Sequence, residues 1–395
     1  MIFCAEEGIQ LLYEKKGLCC GCSACYDICP QSAIKMIEDN EGFYYPNIDS
    51  SKCINCGLCE VICPTHNLKR NITKSEAFAA YYLKENIRLM SSSGGIFSAL
   101  ADYVLTNNGV VYGAAFDVNF EVSHSRITDK SDLNKLRGSK YVQSDCTGIY
   151  KQCRNDLNDE KLVLFTGTPC QVEALKKFLI KEYENLITID LACHGVPSRL
   201  VWRKYVKRIS AINKLPIKNI NFRVKDKSWK RYSIRFSFDD NTTYIKDVNQ
   251  EPFMIGFLQN LYLRPSCYQC QFKSIDRVSD ITIADFWGIE KNYPELDDDK
   301  GISLIIVHSN KGTNLLKAIK RSIFIKSVDL DCAIKSNPAI VKASEVNSKR
   351  AAFFSAINDT SNIISLIKKN TKISFIYRIK RKLVYALNKV YSKNN

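Results

Sequence analysis

The sequence predicts an α+β / α/β protein in two parts, a small cysteine-rich module followed by a larger mixed α/β domain. Two observations lead to this prediction. Eight cysteines recur in two identical runs within the first 64 residues. From residue 77 onward, apolar strand-like stretches alternate with turns and helix-like stretches, which is typical of an α/β sheet with at least some parallel strands. At 395 residues, the chain is long enough for two or three domains.

The two cysteine runs share one spacing, Cys-x2-Cys-x2-Cys-x3-Cys-Pro, and the second begins 34 residues after the first. This spacing is that of bacterial ferredoxins with two [4Fe–4S] clusters, in which the fourth cysteine of each run binds the other cluster. The predicted ligands are Cys19, Cys22, Cys25 and Cys63 for the first cluster, and Cys53, Cys56, Cys59 and Cys29 for the second. Zinc or a disulfide framework is the alternative, which a repeated triple run disfavours. Cys4 and Cys20 fall outside the pattern and are interpreted as bystanders.

We predict four segments. Residues 1–73 form the bacterial-type two-cluster ferredoxin module, residues 74–155 and 156–345 form the two parts of the α/β domain, and residues 346–395 form a basic tail. Polar residues 71–75 are interpreted as a linker. Strands are predicted at 43–45, 77–83, 110–116, 161–165, 186–192, 281–283 and 304–307, helices at 96–105, 171–179 and 312–323, and an antiparallel hairpin at 220–246.

Four further cysteines follow predicted strands or form a short motif. Cys170 and Cys193 each come just after a strand, and Cys267 and Cys270 form a Cys-x2-Cys pair. Because ligands bind where the carboxyl ends of parallel strands meet, these four thiols could form one site. Spacing alone leaves a third [4Fe–4S] cluster, zinc and free thiols open. Three other cysteines are interpreted as small buried apolar residues: Cys146, Cys153 and Cys332.

Two short polar loops suggest an anion site. Ser91-Ser92-Ser93-Gly94-Gly95 precedes a predicted helix, and Gly138-Ser139-Lys140-Tyr141 adds a cation. Backbone amides, hydroxyls and a helix N-terminus bind phosphate well, although an ordinary capped helix and a turn explain each loop alone. Together the loops fit a pyrophosphate-bearing cofactor. No Gly-x-Gly-x-x-Gly motif follows a strand, so a Rossmann site is not expected.

The net charge of +16 is concentrated in the tail, since the last 28 residues contain nine Lys and Arg and no acidic residue. Apolar residues recur there at helical steps, namely Ile376, Ile379, Leu383, Leu387 and Val390. Such a helix suits an anionic membrane surface or an acidic partner, and equally suits docking on its own domain. No binding module for nucleic acid accompanies the charge. Without a signal peptide or an apolar run long enough for a bilayer, we expect a cytoplasmic protein, with contact to the inner membrane face through the tail as one option.

Residues 75 to about 345 resemble the beta-subunit family of coenzyme F420 (deazaflavin) hydrogenases and dehydrogenases. The resemblance lies in Ser92–Phe97, Leu136–Tyr141, Gly167–Gln171, Cys193–Pro197, the Cys267–Cys270 pair and Asp285–Gly288. It implies a flavoprotein with FAD and a cluster bound by Cys170, Cys193, Cys267 and Cys270. It also implies that FAD is held by Ser92, Ser93, Gly94, Gly95, Gly138, Ser139, Lys140 and Tyr141, with Thr168 counted among them.

The resemblance implies an oxidoreductase. A reduced ferredoxin or another redox subunit would exchange electrons with the module, and FAD would exchange a hydride with the deazaflavin or another small organic acceptor. Lys140, as a cation near a phosphate or flavin carbonyl, and His194, as a proton donor, are the candidate catalytic residues. A lone histidine is more often a local hydrogen-bond partner. The rival hypotheses are a non-enzymatic electron-relay subunit and, less favoured, an iron–sulfur scaffold.

Overall fold

The computed structural model describes residues 16–66, 68 and 75–371. Cys4, most of the predicted linker and the amphipathic stripe of the tail lie outside the described residues. None of the helices in the described part is long and apolar enough to cross a membrane.

The N-terminal module contains two short helices and one hairpin. Its elements are α1 (Ala24–Ile28), β1 (Ile34–Glu38), β2 (Tyr44–Ile48) and α2 (Leu58–Val61). The two strands pair antiparallel, with Ile34 opposite Ile48. The strand predicted at 43–45 is confirmed as the start of the second strand of this hairpin.

The larger part is built on an eight-stranded mixed sheet. Its strands are β3 (Glu76–Tyr82), β4 (Val110–Phe116), β5 (Val122–Ile127), β6 (Val163–Gly167), β7 (Leu186–Leu191), β11 (Ile281–Asp285), β12 (Ser303–Val307) and β13 (Ile323–Val328). They lie in the order β13-β3-β12-β11-β7-β6-β4-β5. Strands β4, β6, β7 and β11 are parallel to their neighbours in that series, and the remaining pairs are antiparallel. The predicted α/β fold with some parallel strands is therefore confirmed.

Helices cover both faces of this sheet, so the central strands are buried on both sides. Every residue of β6 is buried, as expected of a parallel strand between two layers. The helices of the larger part, in chain order, are α3 (Glu85–Met90), α4 (Ile96–Thr106), α5 (Leu133–Leu136), α6 (Ile149–Asn158), α7 (Pro169–Leu179), α8 (Arg199–Asn213), α9 (Pro252–Leu258), α10 (Ile289–Asn292), α11 (Asn310–Ala318), α12 (Leu330–Lys335), α13 (Arg350–Ser355) and α14 (Ile363–Asn370).

A second, three-stranded antiparallel sheet follows α8. It consists of β8 (Ile217–Val224), β9 (Ser233–Phe238) and β10 (Thr243–Asp247), in the order β10-β9-β8. The hairpin predicted at 220–246 is confirmed and gains one strand. Aromatic residues of this sheet pack on Trp202 of α8, which is 1% exposed. This second layer places Arg223, at the end of β8, beside the main sheet.

One predicted element is wrong at its end. The helix predicted at 312–323 ends at Ala318, and Ile323 instead begins β13. The segment pairs with β3 along its whole length, from Ile323 opposite Tyr82 to Val328 opposite Ala77. Pairing with an available sheet edge satisfies these backbone groups, which outweighs the helical spacing of the apolar residues.

The N-terminal module packs tightly on the larger part. Cys22, Ala24 and Ile62 join the apolar core formed by α6, α7 and the sheet. The buried carboxylate of Asp27 accepts hydrogen bonds from the backbone N–H groups of Gly148 (2.7 Å) and Tyr150 (2.9 Å) at the start of α6. An acidic group at a helix N-terminus satisfies donors that the helix leaves unpaired. The module is therefore fixed in orientation relative to the sheet.

Candidate functional site

The cysteines predicted for the first cluster line one cavity of about 280 Å³, which is bordered by Cys19, Cys22, Cys25 and Cys63. Burial raises the pKa of the Cys25 thiol, and the charges of Cys19 and Cys63 raise it further. Iron binding requires thiolates, whereas burial and mutual repulsion oppose them. The donor set therefore fits a ligand whose positive iron atoms neutralise four thiolates.

The cysteines predicted for the second cluster line another pocket, bordered by Cys29, Cys53, Cys56 and Cys59. Burial raises the pKa of Cys59 to about 11. Cys56 is exposed, and the apolar side chains around it are exposed as well, with Ile54 at 60% and Val61 at 73%. Among the eight predicted ligands of the module, Cys56 is the exposed one, so the second thiol set reaches the protein surface.

The four thiols of the third candidate site also share one pocket, lined by Cys170, Cys193, Cys267 and Cys270. Cys170 and Cys193 follow β6 and β7, which are parallel neighbours, so their strand ends bring them together. Burial raises the pKa of Cys193 to about 11, and the charges of Cys170 and Cys270 act in the same direction. The backbone N–H of Val196 donates to Cys267 Sγ at 3.4 Å. As in the module, the donor set fits a cluster of iron atoms.

Cys20, interpreted from sequence as a bystander, lies between the first and third thiol sets. It borders both cavities, and its thiol lies next to the thiols of Cys22 and Cys170. Gln143 Nε2 donates to the Cys20 carbonyl at 3.1 Å. The position of Cys20 next to Cys19 gives no sign of this contact, because it depends on how the module docks.

Among residues 16–66, 68 and 75–371, no group of three or more His, Cys, Asp or Glu side chains could hold a single metal ion. All ligands of a single zinc ion lie about 2.0–2.3 Å from it. The four thiolates of a [4Fe–4S] cube each bind a different iron atom and lie further apart. The lack of such a group among these residues therefore disfavours a single zinc ion and says nothing about the [4Fe–4S] cubes.

The two polar loops meet in the structure. Ser92 Oγ accepts hydrogen bonds from the backbone N–H of Ser139 at 2.7 Å and from Ser139 Oγ at 2.9 Å. The other two hydroxyls are also engaged, since Ser91 Oγ donates to Ile87 O and Ser93 Oγ donates to Ile302 O. The loops thus lie together as a shared cofactor requires, but their serine hydroxyls already have partners within the protein.

The close packing of the chain explains why residue 94 is a glycine. A Cβ atom there would lie 2.5 Å from the carbonyl oxygen of Ala80 and 2.8 Å from the backbone nitrogen of Ser303. Only glycine allows the loop to pass this close to β3 and β12. The next residue, Gly95, has a φ of 82° and precedes α4. The glycine pair is therefore accounted for by the path of the chain, and phosphate binding would be an additional use of it.

Two cationic side chains, Arg223 in β8 and Lys225 just after it, donate hydrogen bonds to carbonyl groups of the Ser92–Gly95 loop. Arg223 donates to Ser92 O at 3.1 Å and forms a paired contact with both carboxylate oxygens of Asp285. Lys225 Nζ donates to Ser93 O at 2.6 Å. Burial lowers the pKa of Lys225 to about 7. Sequence reasoning missed both residues, because they come from a different sheet.

The Lys140 side chain turns back toward its own loop. Its Nζ donates to the carbonyl oxygens of Leu136, Arg137 and Gly138 at 3.1–3.2 Å. Burial lowers its pKa to about 7. In this position the ammonium group satisfies carbonyls at the end of α5 and closes the loop that carries Ser139.

His194 and Thr168 both border the third thiol pocket. His194 Nε2 donates to Asn260 Oδ1 at 2.7 Å, and burial lowers the pKa of His194. The ring of Phe257 lies 5.0 Å from that of His194 and 5.3 Å from that of Tyr141. Phe257 therefore connects the third thiol pocket with the Gly138–Tyr141 loop.

Thr168 lies at the third thiol pocket, next to Cys170. It caps α7 in a capping box with Gln171, and its hydroxyl lies 3.1 Å from Cys170 Sγ. Pro169 at the first turn of α7 suits this start because it needs no hydrogen-bond acceptor there. The capping box thereby fixes Cys170 just after β6.

Comparisons with known families agree with this architecture. Two family descriptions cover the beta chain of "Coenzyme F420 hydrogenase/dehydrogenase"; the one for its N-terminal region matches residues 77–151, and the one for its C-terminal region matches residues 160–332. A family described as "4Fe-4S dicluster domain" matches residues 18–67. The N- and C-terminal matches together take in well over half of the chain.

Individual relatives are similar over parts of their length. One component of the F(420)H(2) dehydrogenase of Methanosarcina mazei is 24% identical over 64% of this chain and 71% of its own length. The coenzyme F420-dependent sulfite reductase of Methanocaldococcus jannaschii is 27% identical over 48% of this chain, but the match takes in only 30% of that protein. An uncharacterized ferredoxin of the same organism is 38% identical over 17% of this chain and 83% of its own length.

Among solved structures, a chain of the F420-reducing [NiFe] hydrogenase complex from Methanosarcina barkeri aligns with a TM-score of 0.45 and 17% identity, over 69% of this chain and 90% of that one. The sequence families are the stronger result. A 4Fe-4S dicluster domain precedes matched N- and C-terminal regions of one oxidoreductase family. The chain therefore belongs to the coenzyme F420 hydrogenase/dehydrogenase beta-subunit family and carries a 4Fe-4S dicluster domain in front of it.

Proposed function

We propose that this chain is an iron–sulfur flavoprotein oxidoreductase. In this proposal, electrons move between a redox-protein partner and the N-terminal module, and a third cluster and FAD connect the module to a small organic hydride carrier. The carrier is the deazaflavin coenzyme F420 or another organic acceptor. Bound [4Fe–4S] clusters supply one-electron transfer, and bound FAD supplies the exchange between single electrons and a hydride.

One observation carries the proposal, the continuous series of thiol sites across the molecule. The exposed Cys56 marks the surface end, the module's two thiol sets follow, and Cys20 contacts both Cys22 of the first set and Cys170 of the third. Electron carriers must lie close together for single electrons to pass between them. The docking of the module on the sheet supplies that closeness, and Asp27 at the start of α6 helps to hold it.

The place proposed for FAD is the junction of the Ser92–Gly95 and Gly138–Tyr141 loops. The contact between Ser92 and Ser139 supports it, as does the ring of Phe257, which links Tyr141 to His194 beside the third thiol set. Arg223 and Lys225 hold the carbonyls of Ser92 and Ser93 in place. In the proposal these residues shape the loop, while family resemblance supplies the identity of the cofactor.

The two candidate catalytic residues, His194 and Lys140, have different roles in the proposal. The lowered pKa of His194 makes it a neutral imidazole at pH 7, and its Nε2 hydrogen is directed at Asn260 Oδ1. Lys140, with a pKa of about 7, holds or releases a proton near neutral pH. Because its Nζ faces three carbonyls, Lys140 acts in the proposal by positioning its loop.

A specific observation favours the rival function, an electron-relay subunit without a substrate of its own. The hydroxyls of Ser91, Ser93 and Ser139 all donate within the protein, to Ile87 O, Ile302 O and Ser92 Oγ, which leaves fewer donors for a cofactor at these loops. A relay would also use the exposed face around Cys56 as its contact with a partner. The two functions differ in whether a flavin is bound and in whether it reacts with a small molecule.

The deciding experiment measures iron and flavin on protein that is purified without oxygen and reconstituted with iron and sulfide. We expect about twelve irons and one FAD per chain, because three cubes contain four irons each. Reduction of the bound flavin by reduced coenzyme F420 would then support the enzyme and contradict the relay, because a relay has no small-molecule substrate. About eight irons and no flavin would contradict the enzyme proposal and leave a dicluster module on a domain of another function.

A further inference from the structure

Arg264 occupies a position in the interior where the module meets the larger part. Its side chain is 0% exposed. Its Nε donates to the carbonyl of Cys19 at 2.7 Å, Nη2 donates to the carbonyl of Tyr44 at 2.9 Å, and Nη1 donates to Gln143 Oε1 at 3.2 Å. A guanidinium from the larger part thus reaches into the module that carries the first thiol set.

No carboxylate forms an ion pair with Arg264 among residues 16–66, 68 and 75–371. Three other deeply buried arginines each have such a partner, namely Arg88 with Asp298, Arg223 with Asp285 and Arg277 with Asp190. An unpaired charge in a protein interior is very costly, so buried charges are paired. Within the described residues, the negative charge that balances Arg264 therefore has to come from a source other than a carboxylate.

The first thiol set is the nearest source of negative charge. Arg264 Nη2 donates to Cys19 Sγ at 3.6 Å, within the range of a hydrogen bond to sulfur. On its other sides the guanidinium faces the rings of Tyr45 at 4.3 Å and Phe43 at 5.5 Å. Aromatic faces stabilise a cation but do not neutralise it. Four thiolates and the sulfides of a cube would neutralise it.

The module's backbone is shaped to admit this side chain. A Cβ atom at Gly21 would lie 2.6 Å from Arg264 Nη1 and 2.8 Å from Gln143 Nε2. Gly21 also has a φ of 66°, which favours glycine. The loop between Cys19 and Cys22 therefore passes directly against the guanidinium, and the contact is part of the fold of the cluster loop.

We propose that Arg264 is the counter-ion of the cluster held by Cys19, Cys22, Cys25 and Cys63, and that it raises the reduction potential of this cluster above the value the cluster would have without the guanidinium. The inference rests on the proposed function only in requiring that both clusters are bound. Reduction adds one electron from a one-electron donor protein, with no bond formed or broken. A fixed positive charge and a hydrogen bond to a ligand sulfur favour the form with the additional negative charge.

The consequence for electron flow is directional. A higher potential at the first cluster favours electron transfer to it from the exposed second cluster, and the first cluster adjoins Cys20 and the third thiol set. Arg264 is a positioning and potential-setting residue in this inference, since it acts through Cys19. The same side chain therefore links the docking of the module to the potential of its cofactor.

The test is a redox titration of the iron-loaded protein, followed by electron paramagnetic resonance of the reduced clusters. The two module signals are assigned in the Cys56→Ala background, which removes a ligand of the second cluster only. For Arg264→Met we expect the one-electron reduction equilibrium of the first cluster to fall at least about tenfold, which corresponds to about 59 mV. Arg264→Lys should lie between this variant and the wild type, since it keeps the charge and loses the planar donors.

Arg88→Met is the matched control, because it removes one buried guanidinium from a different part of the protein. It should leave the first cluster's potential unchanged. If iron analysis shows that Arg264→Met lacks the first cluster, Arg264→Gln takes its place with the same expected direction. An unchanged first-cluster potential in a cluster-bearing Met or Gln variant overturns the inference. Wild-type protein without module clusters would instead overturn the proposed function, so the two failures are distinguishable.

Discussion

The thiol sites and the serine–glycine loops differ in how far their polar groups already have partners within the protein. In the thiol sites, the four cysteines of each set line one pocket, and burial and their mutual charges raise the pKa of the Cys25, Cys193 and Cys267 thiols, so they become thiolates readily only with a positive ligand. In the loops, hydroxyls, carbonyls and glycines are already used by neighbouring strands and by Arg223 and Lys225. The difference teaches that a cysteine motif indicates its ligand, whereas a polar loop can be explained by its own hydrogen bonds.

We expect the largest effect from a substitution that removes a ligand of the first thiol site. Cys25→Ala should cost about four of about twelve irons and lower the melting temperature, because the site lies where the module packs on α6 and α7. Cys153→Ala is the control, since it makes the same Cys-to-Ala change at a buried cysteine that borders none of the three thiol pockets. Iron analysis and thermal unfolding of both proteins test this. Equal iron in both variants would contradict the assignment of Cys25.

The third thiol site gives the next effect. Cys170→Ala should lose about four irons and leave the module clusters intact. Cys20→Ala should keep its iron, because Cys20 contacts Cys170 without belonging to the predicted ligand set. Iron content and resonance spectra measure both. A Cys170→Ala protein with full iron and full activity would remove the third cluster from the proposal. Iron loss in Cys20→Ala together with full iron in Cys170→Ala would make Cys20 a ligand in place of Cys170.

Lys140 tests the loops through pH. Its pKa falls from an ordinary value of 10.5 to about 7 on folding. The unfolded state therefore binds more protons between these values, so this lysine's contribution to stability is fully present above pH 10.5 and is lost as the pH falls to about 7. Lys140→Met should reduce the rise of unfolding free energy with pH by at most about 1.4 kcal/mol per unit. Chemical denaturation between about pH 7.5 and 9.5 measures the slopes, and parallel slopes would refute the burial of a neutral lysine.

Ser92→Ala should have the smallest effect. It removes the acceptor for Ser139 N and Oγ, and the loss of such partly buried hydrogen bonds costs about 1 kcal/mol of unfolding free energy. Ser93→Ala, which removes only the bond to Ile302 O, is the control. Flavin content is measured beside stability. If Ser92→Ala loses flavin without losing stability, the Ser92 hydroxyl contributes more to cofactor binding than to the fold. This result would weaken the contrast between the thiol sites and the serine–glycine loops.

Several features of the fold were predictable from residues close in sequence. The spacing of the cysteine runs predicted which thiols share a cavity, and the alternation of strands and helices predicted a partly parallel sheet with Cys170 and Cys193 at adjacent strand ends. The end of α11 was not predictable, because Ile323 follows the edge of β3 instead of its local helical spacing.

The sequence by itself determined the chemistry of the two module thiol sets, because the repeated spacing of their cysteines along the chain is that of ligands to two [4Fe–4S] clusters. The tertiary structure alone decided the relations between sites. It placed Cys20 between two thiol sets, turned Lys140 toward its own carbonyls, and inserted Arg264 beside Cys19 without a carboxylate partner among the described residues. The physical reason is that charge pairing, desolvation and the distance between redox sites depend on contacts across hundreds of residues, such as the 245 between Cys19 and Arg264.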